Sequence, residues 1–411
     1  MILGALRIRS FRFQFASDLV TSWAFEMETV ILGWYVMVNT GSVLWLTGFG
    51  SLQFLGTLAA PMYGVLGDRL GGRSVLCAMR TVYSVLAAAL LLLALTGRLS
   101  PAWVLVVAAV MGLVRPNDLV LRNTLIGETI PAADRMGALA MSRATADSAR
   151  VGGALAGAGL SAALGMAATY VFVTAFYVIG LALTFGVSRR PALAVSSPML
   201  VPASGWSDLK AGVARVTRAP ELFAMVLLAF LINLTAYPVT GGLLPYAAQR
   251  VYRVDATGLG LLVASFALGG LLASITMVIA GGRRHPERAT LVGTALWYGL
   301  LLVFGQLEMM TAGLLTLFVA GFVQNVAMIA MTAVLLAAAG EGFRGRVMGV
   351  RMLAVYGLPL GLLGLGFLID RIGYAATITL SAALGLACTA LIGLRWRASM
   401  WRRLPAAETA G

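Results

Sequence analysis

Eleven ionisable side chains stand inside long apolar stretches of this sequence: Asp18, Glu26, Glu28, Arg80, Arg115, Asp118, Arg122, Arg143, Asp147, Arg150 and Arg351. A charge facing lipid at mid-membrane costs about 2.5 to 3.5 kcal/mol, so the set would approach roughly 30 kcal/mol. No chain of marginal stability tolerates that sum. Most of these groups must therefore face a wet cavity or one another. Two chemistries fit: gain and loss of a proton at a carboxylate, and pairing of a guanidinium with an anionic group.

At 3.6 residues per turn, Arg115, Asp118 and Arg122 fall within about 60° of arc, and Arg143, Asp147 and Arg150 do the same on the next span. Counted from Ile130 and from Arg135, the two stripes share depths of about 12, 18 and 22 Å. The pattern predicts a buried Arg and Asp network in the N-terminal half. Its surplus arginine would meet either an anionic group of a substrate or the acids of the first span. The alternative is a self-satisfied ion-pair lattice that only holds helices together. Asp118 and Asp147 have arginines one turn away, which makes them poor candidates for proton exchange. Glu26 and Glu28 have no sequence-local cation and point about 200° apart, so they cannot line one cavity. Glu28 is the first candidate for proton coupling, then Glu26, with Asp18 as a third. The C-terminal half offers Asn233, Tyr237, Gln324, Asn325 and Arg351 amid Met, Phe and Leu, an apolar wall suited to an amphiphilic organic molecule.

The elements that position these groups follow from composition. Of 411 residues, 60% are hydrophobic and 11% charged, with a mean hydropathy of +0.91, whereas soluble chains are about 45 to 50% apolar. Apolar runs long enough to cross a hydrocarbon core of roughly 30 Å recur throughout, which excludes a barrel. Spans are predicted at 13–38, 43–66, 75–95, 101–126, 137–164, 167–187, 222–244, 258–280, 289–307, 312–338, 347–369 and 374–394. The expected fold is an all-α integral membrane protein with twelve transmembrane helices in two six-helix bundles, 1–187 and 220–411. Residues 188–219 form a cytoplasmic linker. Within it Trp206, Leu209, Val213 and Val216 share one helical face, as in an interfacial amphipathic helix, and a solvated tether is the alternative. A shift of 208 residues places Arg143 on Arg351, Gly153 on Gly361 and Gly165 on Gly373, while a shift of 210 places Gly71, Gly72 and Arg73 on Gly281, Gly282 and Arg283. Parallel repeats of six helices are the implied origin.

The formal net charge is +14 with a single lysine, Lys210. With the N-terminus inside, twenty basic residues fall on the cytoplasmic side against four opposite, so both ends are expected in the cytoplasm. This is membrane topology, with no nucleic-acid partner. The first apolar segment contains Asp18, Glu26 and Glu28, unlike a signal peptide's core, and is read as a retained span. Cys77 and Cys388 lie in apolar helices as packing residues. The chain has neither a Walker loop nor a His-Glu-x-x-His pair, and its one histidine is His285. No cofactor or metal is expected, and a membrane-embedded enzyme is the remote alternative. Nothing suggests an oligomer, so a monomer is expected.

Between the second and third spans the chain reads Gly64-Val65-Leu66-Gly67-Asp68-Arg69-Leu70-Gly71-Gly72-Arg73. This resembles the loop motif of the major facilitator superfamily, with Gly72 where a basic residue is usual. The resemblance implies a cytoplasmic gate motif at Gly64, Asp68, Arg69, Gly71 and Arg73. Leu244-Pro245-Tyr246-Ala247 with Thr257 to Leu262, and Arg344 to Gly349 with Gly357 to Gly361, are similar to the drug:proton antiporter branch with macrolide-efflux and enterobactin-exporter proteins. Gly152-Gly153-Ala154-Leu155-Ala156-Gly157 echoes that branch's antiporter motif with Gly153 in place of proline; close helix packing explains it as well as coupling does. The resemblance implies a proton-coupled exporter of an amphiphilic drug-like or siderophore-like compound in a prokaryotic cytoplasmic membrane, working by alternating access without enzymatic chemistry. Its partners would be a small-molecule substrate, protons and the lipid bilayer. An importer or uncoupled carrier of a small organic anion is the near alternative.

Overall fold

The computed structural model describes residues 5–59, 70–188, 205–279 and 285–397, and every regular element among them is helical. Seven helices are long and apolar enough to cross a membrane among the described residues. The elements are α1 (Arg9–Thr40), α2 (Val43–Leu52), α3 (Gly72–Leu95), α4 (Pro101–Val114), α5 (Asp118–Thr129), α6 (Ala132–Thr184), α7 (Gly205–Arg218), α8 (Pro220–Thr235), α9 (Ala256–Ile279), α10 (Pro286–Phe304), α11 (Met310–Ala339), α12 (Arg344–Leu353), α13 (Gly357–Ile372) and α14 (Tyr374–Arg395).

Several expected spans are interrupted, each for a local reason. The expected helix 101–126 breaks at the 3-10 turn Arg115–Asn117, because Pro116 supplies no amide hydrogen and its ring crowds the carbonyl one turn earlier. The expected helices 137–164 and 167–187 run together as α6, parted only at Gly165, whose φ of 79° favours glycine. The run 222–244 leaves α-geometry after Thr235 through a wide turn at Pro238–Gly242, and a second wide turn follows it at Ala247–Val251. The run 347–369 is divided by the 3-10 turn Ala354–Tyr356. The second run is helical as α2, followed by the 3-10 turn Leu55–Ala59; its remainder lies outside the described residues.

Two compact units form. The first takes the described residues up to 188 with Gly241–Ala267 and Leu362–Asp370; the second takes the described residues from 205 to Thr240, Leu268–Gly361 and Arg371 onward. The two later segments enter the first unit where small residues allow it: Gly260 lies on Ala158, Gly366 on the Thr47 side chain, and both Gly50 and Gly242 on Leu362. Arg250 Nη2 donates to the Gly41 carbonyl at 3.2 Å.

The most extensive packing in the first unit joins α1 to α6, and the glycine run of α6 makes it possible. Gly152 lies under the Trp23 ring, Gly153 against Trp23 and Glu26, and Gly157 against Met27, where a Cβ would come 2.8 Å from the Met27 Cα. Gly159, two residues on, has open space around it. Gly157→Leu is therefore expected to destabilise the protein by about 1 to 3 kcal/mol through overpacking. Gly159→Leu should stay within about 0.5 kcal/mol. Apparent unfolding temperature in detergent compares the two, and an equal response would remove the packing explanation.

In the second unit, Trp297 is fully buried against Tyr237, with ring centroids 5.1 Å apart. Thr235 Oγ1 and the Tyr298 hydroxyl lie 2.6 Å apart, and Ser381 Oγ donates to the Thr235 carbonyl at 2.9 Å. Helix α7 packs within the second unit: Gly212 lies on the Arg346 carbonyl, Val216 is buried, and Arg215 Nη2 donates to the Ala338 carbonyl at 3.1 Å. Val213, expected on the same apolar face, is exposed. Residues 189–204 lie outside the described set.

Candidate functional site

Four buried charges gather where α1, α3 and α5 meet in the first unit. Arg80 Nη2 of α3 lies 2.5 Å from Asp18 Oδ1 of α1, and its Nη1 donates to the Ser17 carbonyl at 2.9 Å, to Ser17 Oγ at 2.7 Å and to Thr21 Oγ1. Arg122 Nε of α5 lies 3.3 Å from the same Asp18 oxygen and pairs with Asp118 one turn earlier; its Nη1 donates to Ser22 Oγ at 2.9 Å. Two arginines face two aspartates, so the cluster is electrically balanced. Asp18 and Arg80 are each only 1% exposed. Balance is the condition for burial, because an unpaired charge there would cost several kcal/mol.

Deeper along α1 a second site is built around Glu28. It is buried, with Oε2 accepting from the Tyr177 hydroxyl at 2.7 Å and Oε1 from the Tyr170 hydroxyl at 3.2 Å, both tyrosines on α6. Phe25, Tyr83 and Tyr177 form an aromatic cluster beside it, with centroids 5.0 to 5.8 Å apart. Glu28 also lines a small cleft with Thr29, Gln53 and Arg115, closed by Leu32, Phe49 and Met111. Arg115 reaches this cleft because the helix breaks at its own position. Its Nη1 donates to Thr29 Oγ1 at 2.9 Å and Gln53 Oε1 at 3.1 Å, and its guanidinium lies 4.0 Å from the Phe25 ring centroid. A carboxylate and a guanidinium thus border one cleft without forming an ion pair among the described residues, each held by neutral partners. Such a pair can exchange partners when a proton or an anion arrives, without first breaking a buried salt bridge.

Not every residue of the two stripes joins. Arg143 lies 3.4 Å from Asp147 on α6 but is 57% exposed, and Arg150 is exposed as well. Shared depth placed the stripes at one height, but height does not fix azimuth, and the expected single network across both stripes is absent among the described residues. The partners of Arg122 and Asp118 come from α1 and α3 instead. Glu26 is half-buried against Gly153. Of the gate motif, Gly71 takes a φ of 83° at the start of α3 and Arg73 Nη2 donates to the Phe185 carbonyl at 2.6 Å; Gly64, Asp68 and Arg69 lie outside the described residues.

In the second unit, Gln324 Nε2 donates to the Tyr237 hydroxyl at 2.6 Å, and Arg351, half-buried, lies within electrostatic reach of that same tyrosine. No carboxylate among the described residues comes within ion-pair distance of Arg351. Asn325 Nδ2 is engaged with the Gly270 carbonyl at 2.5 Å and Ser274 Oγ at 2.7 Å, and Asn233 Nδ2 with the Ala229 carbonyl at 2.8 Å. These two asparagines bond the helices themselves. Sequence reasoning missed Tyr170, Tyr177, Thr29 and Gln53, which carry no local pattern and come to the site only through tertiary packing. No cluster of three or more His, Cys, Asp or Glu side chains able to hold a metal occurs among the described residues.

Residues 16–359 match the family model of the Major Facilitator Superfamily. No curated protein matches the sequence. Among solved structures, the nucleoside transporter NupG is similar with a TM-score of 0.74 at 12% identity, covering 95% of this chain and 99% of that one. A bacterial homolog of the human lysosomal transporter Spinster, inward-facing and unoccupied, gives 0.71 at 16%, covering 96% and 98%. The human organic anion transporter MFSD10 gives 0.64 at 19%, covering 93% and 99%. At these identities the likeness is one of fold.

Proposed function

Given that the chain belongs to the Major Facilitator Superfamily and is a multi-pass membrane transporter, we propose that it is a proton-coupled exporter of an amphiphilic organic molecule. The proposal includes twelve spans in two six-helix bundles, 1–187 and 220–411, with both termini in the cytoplasm and the bundles rocking in alternating access. The observation that carries coupling is Glu28: a buried carboxyl held by two tyrosine hydroxyls and bordering the same cleft as Arg115. A substrate that displaces Arg115 from Thr29 and Gln53 changes the field at Glu28 and so ties binding to the proton occupancy of that carboxyl. Asp18, locked between Arg80 and Arg122, serves the fold. Export as the direction rests on the sequence resemblance to macrolide-efflux and enterobactin-exporter proteins.

One observation favours a second reading. Arg351 is a half-buried guanidinium without a carboxylate at ion-pair distance among the described residues, which suits a carrier of a small organic anion, the cargo named for MFSD10. Proteoliposomes with an acidic lumen separate the two. Lipophilic cations that drive proton release support the first reading; organic anions that move without proton flux, and stop moving in Arg351→Gln, support the second. Proton flux with neither class of solute would reject coupling.

A further inference from the structure

Within the second unit α10 and α14 lie side by side but do not stay equally close. Toward one end Gly385 receives the Tyr298 ring, and Gly305 receives Ile378, whose Cγ2 is 2.8 Å from where a Cβ would stand. Toward the end that carries His285 and Arg397, the facing residues are small and a furrow opens between the helices. Ala295, Ala390 and Gly393 floor it, Val292 and Leu386 flank it, and Arg397 closes its end. A Cβ at Gly393 would still be 3.6 Å from the nearest Leu291 carbon. The rims, including Val292 and Leu394, are exposed apolar side chains, and in a membrane-spanning chain the solvent on that side is lipid.

The dimensions and the charge say what fits. From Leu386 to Arg395, where α14 ends, the helical rise is about 14 Å, close to the roughly 15 Å of hydrocarbon in one leaflet. The helices therefore part over the depth of one acyl chain. Basic groups stand at the headgroup end. Arg288 lies one turn from Val292 on α10, Arg397 closes the furrow just beyond the end of α14, and Arg395 is exposed, 5.6 Å from the Trp396 ring. The adjoining Glu287 is buried. Two guanidiniums over an apolar slot suit a phosphate on a hydrocarbon chain better than a zwitterion, whose own cation would meet them.

We propose that the furrow between α10 and α14 is a binding site for an anionic glycerophospholipid of the cytoplasmic leaflet, its acyl chain along Ala295, Ala390 and Gly393 and its phosphate at Arg397 and Arg288. The inference rests on the inside-positive orientation proposed above and is independent of substrate and coupling. Full-length protein in micelles doped with equal amounts of phosphatidylglycerol and phosphatidylcholine, read by native mass spectrometry, tests it. The unaltered protein should retain phosphatidylglycerol in preference. Arg397→Gln, an exposed change, should lower that retention about fivefold, and Arg288→Gln with Arg397→Gln further, with phosphatidylcholine unchanged. Gly393→Phe, which fills the slot, should lower retention of both lipids, and free glycerol 3-phosphate in excess should displace neither. Equal retention of the two lipids by unaltered protein overturns the headgroup assignment, and undiminished phosphatidylglycerol in monodisperse Gly393→Phe overturns the chain assignment.

Discussion

Glu28→Gln abolishes solute-driven proton movement in sealed vesicles while the protein still folds and still binds its solute. The substitution keeps the volume of the side chain and one oxygen for the tyrosines, Tyr177 at 2.7 Å and Tyr170 at 3.2 Å, but it removes the only atom at this position able to gain and lose a proton. The cost to folding is that of one altered buried hydrogen bond, about 1 to 3 kcal/mol. The cost to coupling is complete, because among the described residues no other carboxyl borders the cleft that holds Arg115. Tyr177→Phe separates the two effects, since it weakens the site by a comparable amount and leaves the carboxyl in place; it retains coupling at a lower rate. Proton flux that survives in Glu28→Gln moves the carrier to Glu26, whose half-buried side chain lies against Gly153 on the other face of α1.

The hydropathy pattern carried the helical membrane architecture, because a backbone in lipid has no choice but to satisfy its own hydrogen bonds. It also placed the acids of α1 on opposite faces, since angular position follows from the residue count alone. What it could not carry was the identity of neighbours. Arg80 stood in the sequence as one arginine in an apolar helix, 59 to 63 residues from its partners on α1, and the structure makes it the hub that joins Ser17, Asp18 and Thr21. Tyr170 and Tyr177 are seven residues apart on α6, two turns along one face, which is also what an ordinary packing stripe looks like. Only the close approach of α1, set by Gly152, Gly153 and Gly157, turns them into ligands of Glu28. The glycine run thus contributes packing that indirectly builds the site.

The helix breaks were half legible. Pro116 announces a break, but the consequence, that Arg115 leaves its stripe and enters the cleft with Thr29 and Gln53, depends on how α1 and α2 are placed around it. For the same reason Arg115, Asp118 and Arg122, which share an arc on an ideal helix, divide between two sites: Arg115 to the cleft, Asp118 and Arg122 to the four-charge cluster.

That cluster gives the largest expected effect on stability. Arg80→Met removes a guanidinium that neutralises Asp18 at 2.5 Å and satisfies three further oxygens of α1, leaving two buried aspartates to share Arg122. Breaking a buried pair from one side costs about 3 to 5 kcal/mol, which for a unit of this size lowers an apparent unfolding temperature by about 10 °C. Asp18→Asn should cost a comparable amount by stranding Arg80. The double variant Asp18→Asn with Arg80→Met leaves Asp118 with Arg122, a neutral pair on one helix turn, and should recover most of the loss, because the penalty comes from the orphaned charge rather than from the missing contact. Thermal unfolding of the four proteins in detergent measures the coupling, and a double variant no more stable than the worse single would refute charge balance as the reason the cluster is buried. If the double variant also transports, the cluster is scaffold, and the chemistry of the first unit belongs to Glu28 and Arg115 alone.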